Sequence, residues 1–246
     1  MNKCVICGKE FKHDWATPPG WPYCSLECSN RDLGLKQAQA TKESRRFYLP
    51  PWPWLKVGGL TYDIEVDDAL AAADDLYWTY SKPQLTITLD GVANPARRRH
   101  SLLSAAVSIV SDSYGLDLDE AQKATVASVL HGVLAENPLD FHSRLGPSLP
   151  MTLKVSGLEY RVVREDRLSE VQRAGDISGV RLVVRIYSGA KARCQSEALL
   201  HEILHAIDRA CHLDIPHGKL TALAYALHQV LADNDLGYHE GEEVPN

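Results

Sequence analysis

Leu55-Lys56-Val57-Gly58-Gly59-Leu60-Thr61-Tyr62 returns in closely similar form as Leu153-Lys154-Val155-Ser156-Gly157-Leu158-Glu159-Tyr160, an offset of 98 residues (55 to 153). Farther along, Leu130-His131-Gly132-Val133-Leu134-Ala135-Glu136-Asn137 returns as Leu227-His228-Gln229-Val230-Leu231-Ala232-Asp233-Asn234, an offset of 97 (130 to 227). No gap is needed from Leu102 and Leu199 onward. Matching at both ends of a long segment is the mark of a tandem duplication, and it governs how every other motif is weighed.

Each copy carries the same order of patterns: a strand pair around a glycine turn, a further alternating strand (Gln84 to Leu89; Arg181 to Tyr187), then two segments of helical periodicity. The first helix is expected from about Arg98 to Ser113 and from Ser196 to His212. The second should begin near Glu120 or His217 and end near Asn137 or Asn234. The fold class is therefore α+β, with two tandem units at 51–145 and 146–240, a preceding segment at 33–50 stopped by Pro50, Pro51 and Pro53, and an acidic tail at 241–246.

In the second copy the first helix contains His201-Glu202-Ile203-Leu204-His205. Residues four apart share a helix face, so both imidazoles can grip one metal ion, and the adjacent Glu202 carboxylate falls where a general base for metal-bound water is needed. Zinc lowers the pKa of such a water toward about 7, within reach of a carboxylate base. Leu199, Leu200, Ile203, Leu204, Ile207 and Ala210 form an apolar face, while His201, His205, Asp208 and His212 fall on another. The preceding strand, Arg181 to Tyr187, reads as an edge to which an extended peptide could add.

The first copy has Ser104-Ala105-Ala106-Val107-Ser108 where the second has His201 to His205, so both ligands and the base are missing there. Residues kept in both copies serve the shared fold. His131 and His228 belong to that class, as do Asn137 and Asn234, which read as helix ends. A catalytic zinc takes a third protein ligand, and Asp208, His212, Asp214 and His217 are the candidates. Asp208 suits a hydrogen bond to a ligand imidazole better than a metal contact. His212 stands one residue too far for the metzincin spacing, which also wants a glycine where Asp208 or Arg209 stands. Asp214 is matched by Asp117 in the first copy, which favours a capping or turn role. Tyr225 and Tyr187 are candidate hydrogen-bond donors to a transition state.

With Leu-Leu-His-Glu-Ile-Leu-His-Ala and the downstream Ala-Leu-His-Gln-Val-Leu-Ala-Asp-Asn, the segment from about Met151 to Glu240 resembles the compact zincin metallopeptidases of bacteria and phages, the ImmA/IrrE-like or minigluzincin-like group. The resemblance implies zinc-dependent hydrolysis of peptide or protein substrates. It also implies a glutamate as third ligand on the following helix. Here His217 opens that helix and Glu120 is its counterpart in the first copy, so His217 is the expected third ligand, with His212 the runner-up and a plain helix cap the alternative role for His217.

Cys4-Val5-Ile6-Cys7-Gly8 and Cys24-Ser25-Leu26-Glu27-Cys28 supply two thiolate pairs at the spacing of a closed, structural zinc site within 1–32. The pattern resembles a treble-clef finger, with helical character from Ser25 to Leu35. Such a finger could contact protein or nucleic acid, and Arg31, Lys36, Lys42, Arg45 and Arg46 together with Arg97-Arg98-Arg99 are the basic residues nearest to that role. Charge runs are more often solvated faces. Cys194 and Cys211 read as small buried hydrophobes.

With a net charge of -6, the chain does not coat nucleic acid through bulk charge. No apolar run suits a membrane span and no apolar stretch follows the first residues, so a cytoplasmic location is expected. The competing reading of the whole is a zinc-binding adaptor or structural protein of a phage particle or DNA-associated assembly, in which Glu202 would have no task.

Overall fold

The structure is a computed structural model that describes residues 2–3, 10–11, 53–70, 77–137, 139, 141, 149–166, 174–234 and 236. Met1–Leu49 and Pro50–Asn246 form separate compact units. In the first, β1 (Asn2–Lys3) pairs antiparallel with β2 (Glu10–Phe11). The four finger cysteines, the expected helix after Ser25, the segment 33–50 and the tail 241–246 lie outside the described residues.

In the second unit, β3 (Trp54–Val57), β4 (Leu60–Asp67), β5 (Trp78–Ser81) and β6 (Thr86–Asp90) precede α1 (Pro95–Ser113) and α2 (Glu120–Glu136). The order repeats as β7 (Thr152–Val155), β8 (Leu158–Glu165), β9 (Gly175–Ser178), β10 (Val183–Tyr187), α3 (Ala192–Cys211) and α4 (His217–Asp233). The sheets are ordered β3-β4-β6-β5 and β7-β8-β10-β9. In each, the third strand of the order lies parallel to the second and antiparallel to the fourth. Register repeats too: Trp78 faces Leu89 across β5 and β6, and Gly175 faces Ile186 across β9 and β10.

Left-handed backbone recurs at matched places, which ties the repeat to local conformation. Leu85 and Leu182, Gly115 and His212, and Asp117 and Asp214 all have positive φ. The last pair gives Asp214 the turn role expected of it, and aspartate tolerates this region better than most residues.

Two strand expectations need correction. The fourth strand of each sheet, β5 or β9, is absent from that reading: Gly175-Asp176-Ile177-Ser178 has almost no strand-forming residues and owes its conformation to pairing with β10, whereas Trp78-Thr79-Tyr80-Ser81 has them, in a run of only four. Consequently the strand at Arg181 to Tyr187, β10, is internal and β9 is the edge.

The two repeats do not fold side by side as separate cores. α2 packs on α3 and reaches β7, while α4 packs on α1 and reaches β3, so each second helix crosses to the other repeat. One apolar cluster runs through both, including Leu103, Ile109 and Leu130 from the first and Leu200, Ile203 and Leu227 from the second. Asn137, at the end of α2, donates from Nδ2 to Lys154 O (3.0 Å) and accepts from Lys154 N at Oδ1 (2.8 Å). Asn234, at the end of α4, does the same to Lys56, at 2.9 Å and 2.8 Å. These asparagines are helix ends, as expected, and they are also reciprocal clamps between the repeats.

Candidate metal centre and its cleft

α3 carries His201 and His205 on one face, and a turn after its end brings His217 opposite them at the first residue of α4. That turn is built locally. His212 caps α3 in the left-handed conformation, and Asp208 Oδ1 accepts from Ile215 N at 2.9 Å, folding the chain back over the last turn of the helix. From the first repeat, Gln122 Nε2 donates to Leu213 O at 2.9 Å while its backbone N and Oε1 form a capping box with Asp119. The first repeat therefore braces the loop that places His217.

His205 Nε2 lies 3.0 Å from His201 Nε2 and 3.1 Å from His217 Nδ1. Ligand atoms of the three all fall within 4.8 Å of one another, and they form the one group of three or more His, Cys, Asp or Glu so arranged among the described residues. Two nitrogens about 2.05 Å from a tetrahedral zinc stand roughly 3.3 Å apart, close to both separations from His205, while the His201–His217 pair lies within 4.8 Å. A neutral His205 carries at most one proton on Nε2 and can donate it to only one of its two neighbours. A cation at the centre would satisfy all three lone pairs.

Electrostatics hold the ligands ready. Burial, reinforced by His205 and His217, pushes the His201 pKa down to about 4. Burial and His217 also lower His205, with Asp208 acting against them and Arg209 with them. Both imidazoles are then neutral at neutral pH, the form that binds a metal.

Glu202 is 4% exposed. It sits under β9, where a Cβ added to Gly175 would come within 2.9 Å of Oε1 and 3.1 Å of Cγ. Glycine at 175 is what leaves room for that carboxylate between helix and edge strand. An open cleft of about 730 Å³ runs along this junction, lined on one side by Ala174 to Ile177 and on the other by Cys194, Glu197, His201, Glu202, His205 and Arg209, with His217, Thr221 and Ala224 from α4.

Comparisons with protein-family models, curated proteins and solved structures gave no match for this chain.

Several expected site residues lie elsewhere. His212 is an exposed helix cap outside the triad. Asp208 spends its hydrogen bond on Ile215 N rather than on an imidazole, and influences His205 through its charge. Tyr225, 55% exposed, and Tyr187, whose hydroxyl packs against Gly189, are not among the residues lining the cleft. Cys194 is exposed in the cleft wall instead of buried, and Cys211 is half-buried. In the basic run, Arg98 is buried and donates from Nη2 to Gly91 O at 2.6 Å, while Arg97 lies over the Tyr77 ring at 3.5 Å. His228 is buried beside Ser196 Oγ at 2.7 Å and against Phe141. Gly175 and Arg209 are among the cleft residues that the motifs do not single out. The signal for both was the register of the repeat, which sets Trp78 against Gly175 and Asp112 against Arg209.

Proposed function

We propose that the protein is a zinc-dependent peptidase whose working cleft belongs to the second repeat. The observation that carries this reading is the convergence of three imidazoles from α3 and α4 beside the buried carboxylate of Glu202, under the edge strand β9, whose outer side has no strand partner among the described residues. His201, His205 and His217 would hold the metal, which when bound supplies Lewis acidity and a water acidified enough to serve as nucleophile.

The chain's own groups account for the rest. Glu202 accepts the proton of the attacking water and returns it to the leaving amine, and its burial next to Gly175 fixes the carboxylate in one place for both transfers. β9 presents the N–H and C=O groups of its outer edge to a substrate main chain, which orients the peptide along the cleft without reading its side chains. Intact Glu202 favours a hydrolase over an adaptor, since a purely structural metal site has no use for a base. In this reading the thiolates of Cys4, Cys7, Cys24 and Cys28 hold a second, structural zinc, and their unit docks a protein or nucleic-acid partner. Among the described residues no helix is long and apolar enough to cross a membrane, so none of this invokes one.

Metal analysis of the purified chain combined with Glu202→Gln tests the proposal. The expected result is zinc retained in the variant and proteolysis reduced by more than about 100-fold. Cleavage that persists unchanged in Glu202→Gln sinks the hydrolase.

A further inference from the structure

On the reading of the cleft as a peptidase site, we propose that Arg209 is its carboxylate-binding residue. It selects peptides that carry a negative charge, on a side chain or at the carboxyl terminus, to one side of the bond held beside Glu202.

Arg209 lines the cleft one helical turn beyond His205, about 6 Å along α3. Its guanidinium lies over Gly179, where an added Cβ would come within 2.4 Å of Nη1 and 3.3 Å of Cζ. Glycine there leaves the side chain its path. At the same register the first repeat has Lys82 and Asp112, 3.8 Å apart, with Asp112 also accepting from Tyr80 Oη and paired to Lys123 at 3.3 Å. The second repeat reverses the sign at the helix position and deletes the partner opposite.

No hydrogen bond or ion pair to Arg209 is present among the described residues. The acids that share its cleft are engaged or distant. Asp176 is held by Arg185 at 2.5 Å, and Glu202 is buried under Gly175. Glu197 stands twelve helical residues before Arg209 (197 to 209), about 18 Å away. The cleft is thus polarised along α3, acidic at one end and basic at the other, with the imidazoles between. A guanidinium exposed in such a place matches a carboxylate through two parallel hydrogen bonds.

The test uses the zinc-loaded full chain with Glu202→Gln, which keeps bound peptides intact, with and without Arg209→Gln. Three sets of fluorescent, acetylated alanine hexapeptides are titrated by anisotropy: free carboxyl terminus, amidated, and amidated with one glutamate walked along the sequence. One carboxylate set should bind about tenfold or more tightly than the neutral amide, and Arg209→Gln should erase that difference while leaving the neutral peptide unchanged. Which set responds distinguishes a terminal from a side-chain carboxylate. A preference that is absent with Arg209 present, that survives Arg209→Gln, or a loss equal for all peptides overturns the proposal; a lower melting temperature with unaltered selectivity leaves Arg209 as a helix-end charge only. Arg209-dependent selection without hydrolysis by the Glu202 protein refutes the peptidase and spares this inference, whereas hydrolysis indifferent to carboxylates does the reverse.

Discussion

The two repeats share topology, register and left-handed turns, yet one junction of helix and edge strand is filled and the other is open. In the first, Trp78 and Tyr80 project from β5 and pack against the core, and Ser104 and Ser108 of α1 are only 7% and 5% exposed. In the second, Gly175 replaces Trp78, and His201 and His205 are half-buried on a cleft wall. A helix start was exchanged as well. α2 begins with a full capping box, whereas α4 begins after Pro216 with no side-chain cap, leaving its first residue, His217, to face the other imidazoles. The difference teaches that a site was not added to this fold. A few side chains decide whether the same place is core or cleft, and the capping and packing that the second repeat lacks are supplied in part by the first.

The strongest way to break the comparison is to make the second cleft resemble the first. Gly175→Trp should lower the proposed hydrolysis by more than about 100-fold, because even a Cβ meets Glu202, while overpacking costs about 1–3 kcal/mol of stability. Peptide turnover and chemical denaturation of the same variant check both halves of that statement.

Buried histidines provide the next test. Burial, with Arg193 adding and Asp233 opposing, lowers the His228 pKa from 6.5 to about 4. The unfolded chain therefore takes up a proton below about pH 6.5 that the folded chain refuses until about pH 4. Stability from this group is fully present above the unfolded pKa and is lost as pH falls through that window, about 3 kcal/mol in all. Denaturation at pH 7.5 and 4.5 should show the native chain losing about that much more than His228→Gln. His131 shifts in the same direction, so the equivalent variant in the first repeat should show a loss of the same sign.

Symmetry itself can be measured at the asparagine clamps. Asn137 and Asn234 are 6% and 3% exposed and make matching bonds, so Asn137→Ala and Asn234→Ala should each cost about 2 kcal/mol and agree within about 0.5 kcal/mol in urea titrations. A clear inequality would show that one repeat depends on the other more than the reverse. The smallest effect is expected from Gln122→Ala, which removes the brace on Leu213 O. Stability should fall by about 1 kcal/mol, and zinc affinity at the histidine triad by several-fold in calorimetric titration, although the variant residue belongs to the first repeat.

Periodicity and the internal match made the element order and most helix boundaries legible, since α1 to α4 begin and end within a few residues of where the pattern places them. Helices announce themselves through local spacing, and positions 201, 205 and 217 were visible as a set because the first copy lacked them. β9 was not legible. A short polar strand is fixed by its neighbour's hydrogen bonds, which no window of sequence contains. Missing it moved the open edge to the wrong strand and hid Gly175, whose meaning depends on a carboxylate 27 positions later in the chain (175 to 202).

The sequence by itself determined the duplication, the α+β order, and which repeat holds the histidines and Glu202. Those features are local in the chain, and the second copy is its own control. Tertiary structure alone decided that the repeats share one core through crossed helices, that Asp208 and Gln122 fix the loop carrying His217, and that Arg209, in the cleft wall, lies over Gly179. Each of those depends on two segments far apart in sequence meeting at a few ångströms, and only the packed fold sets that distance.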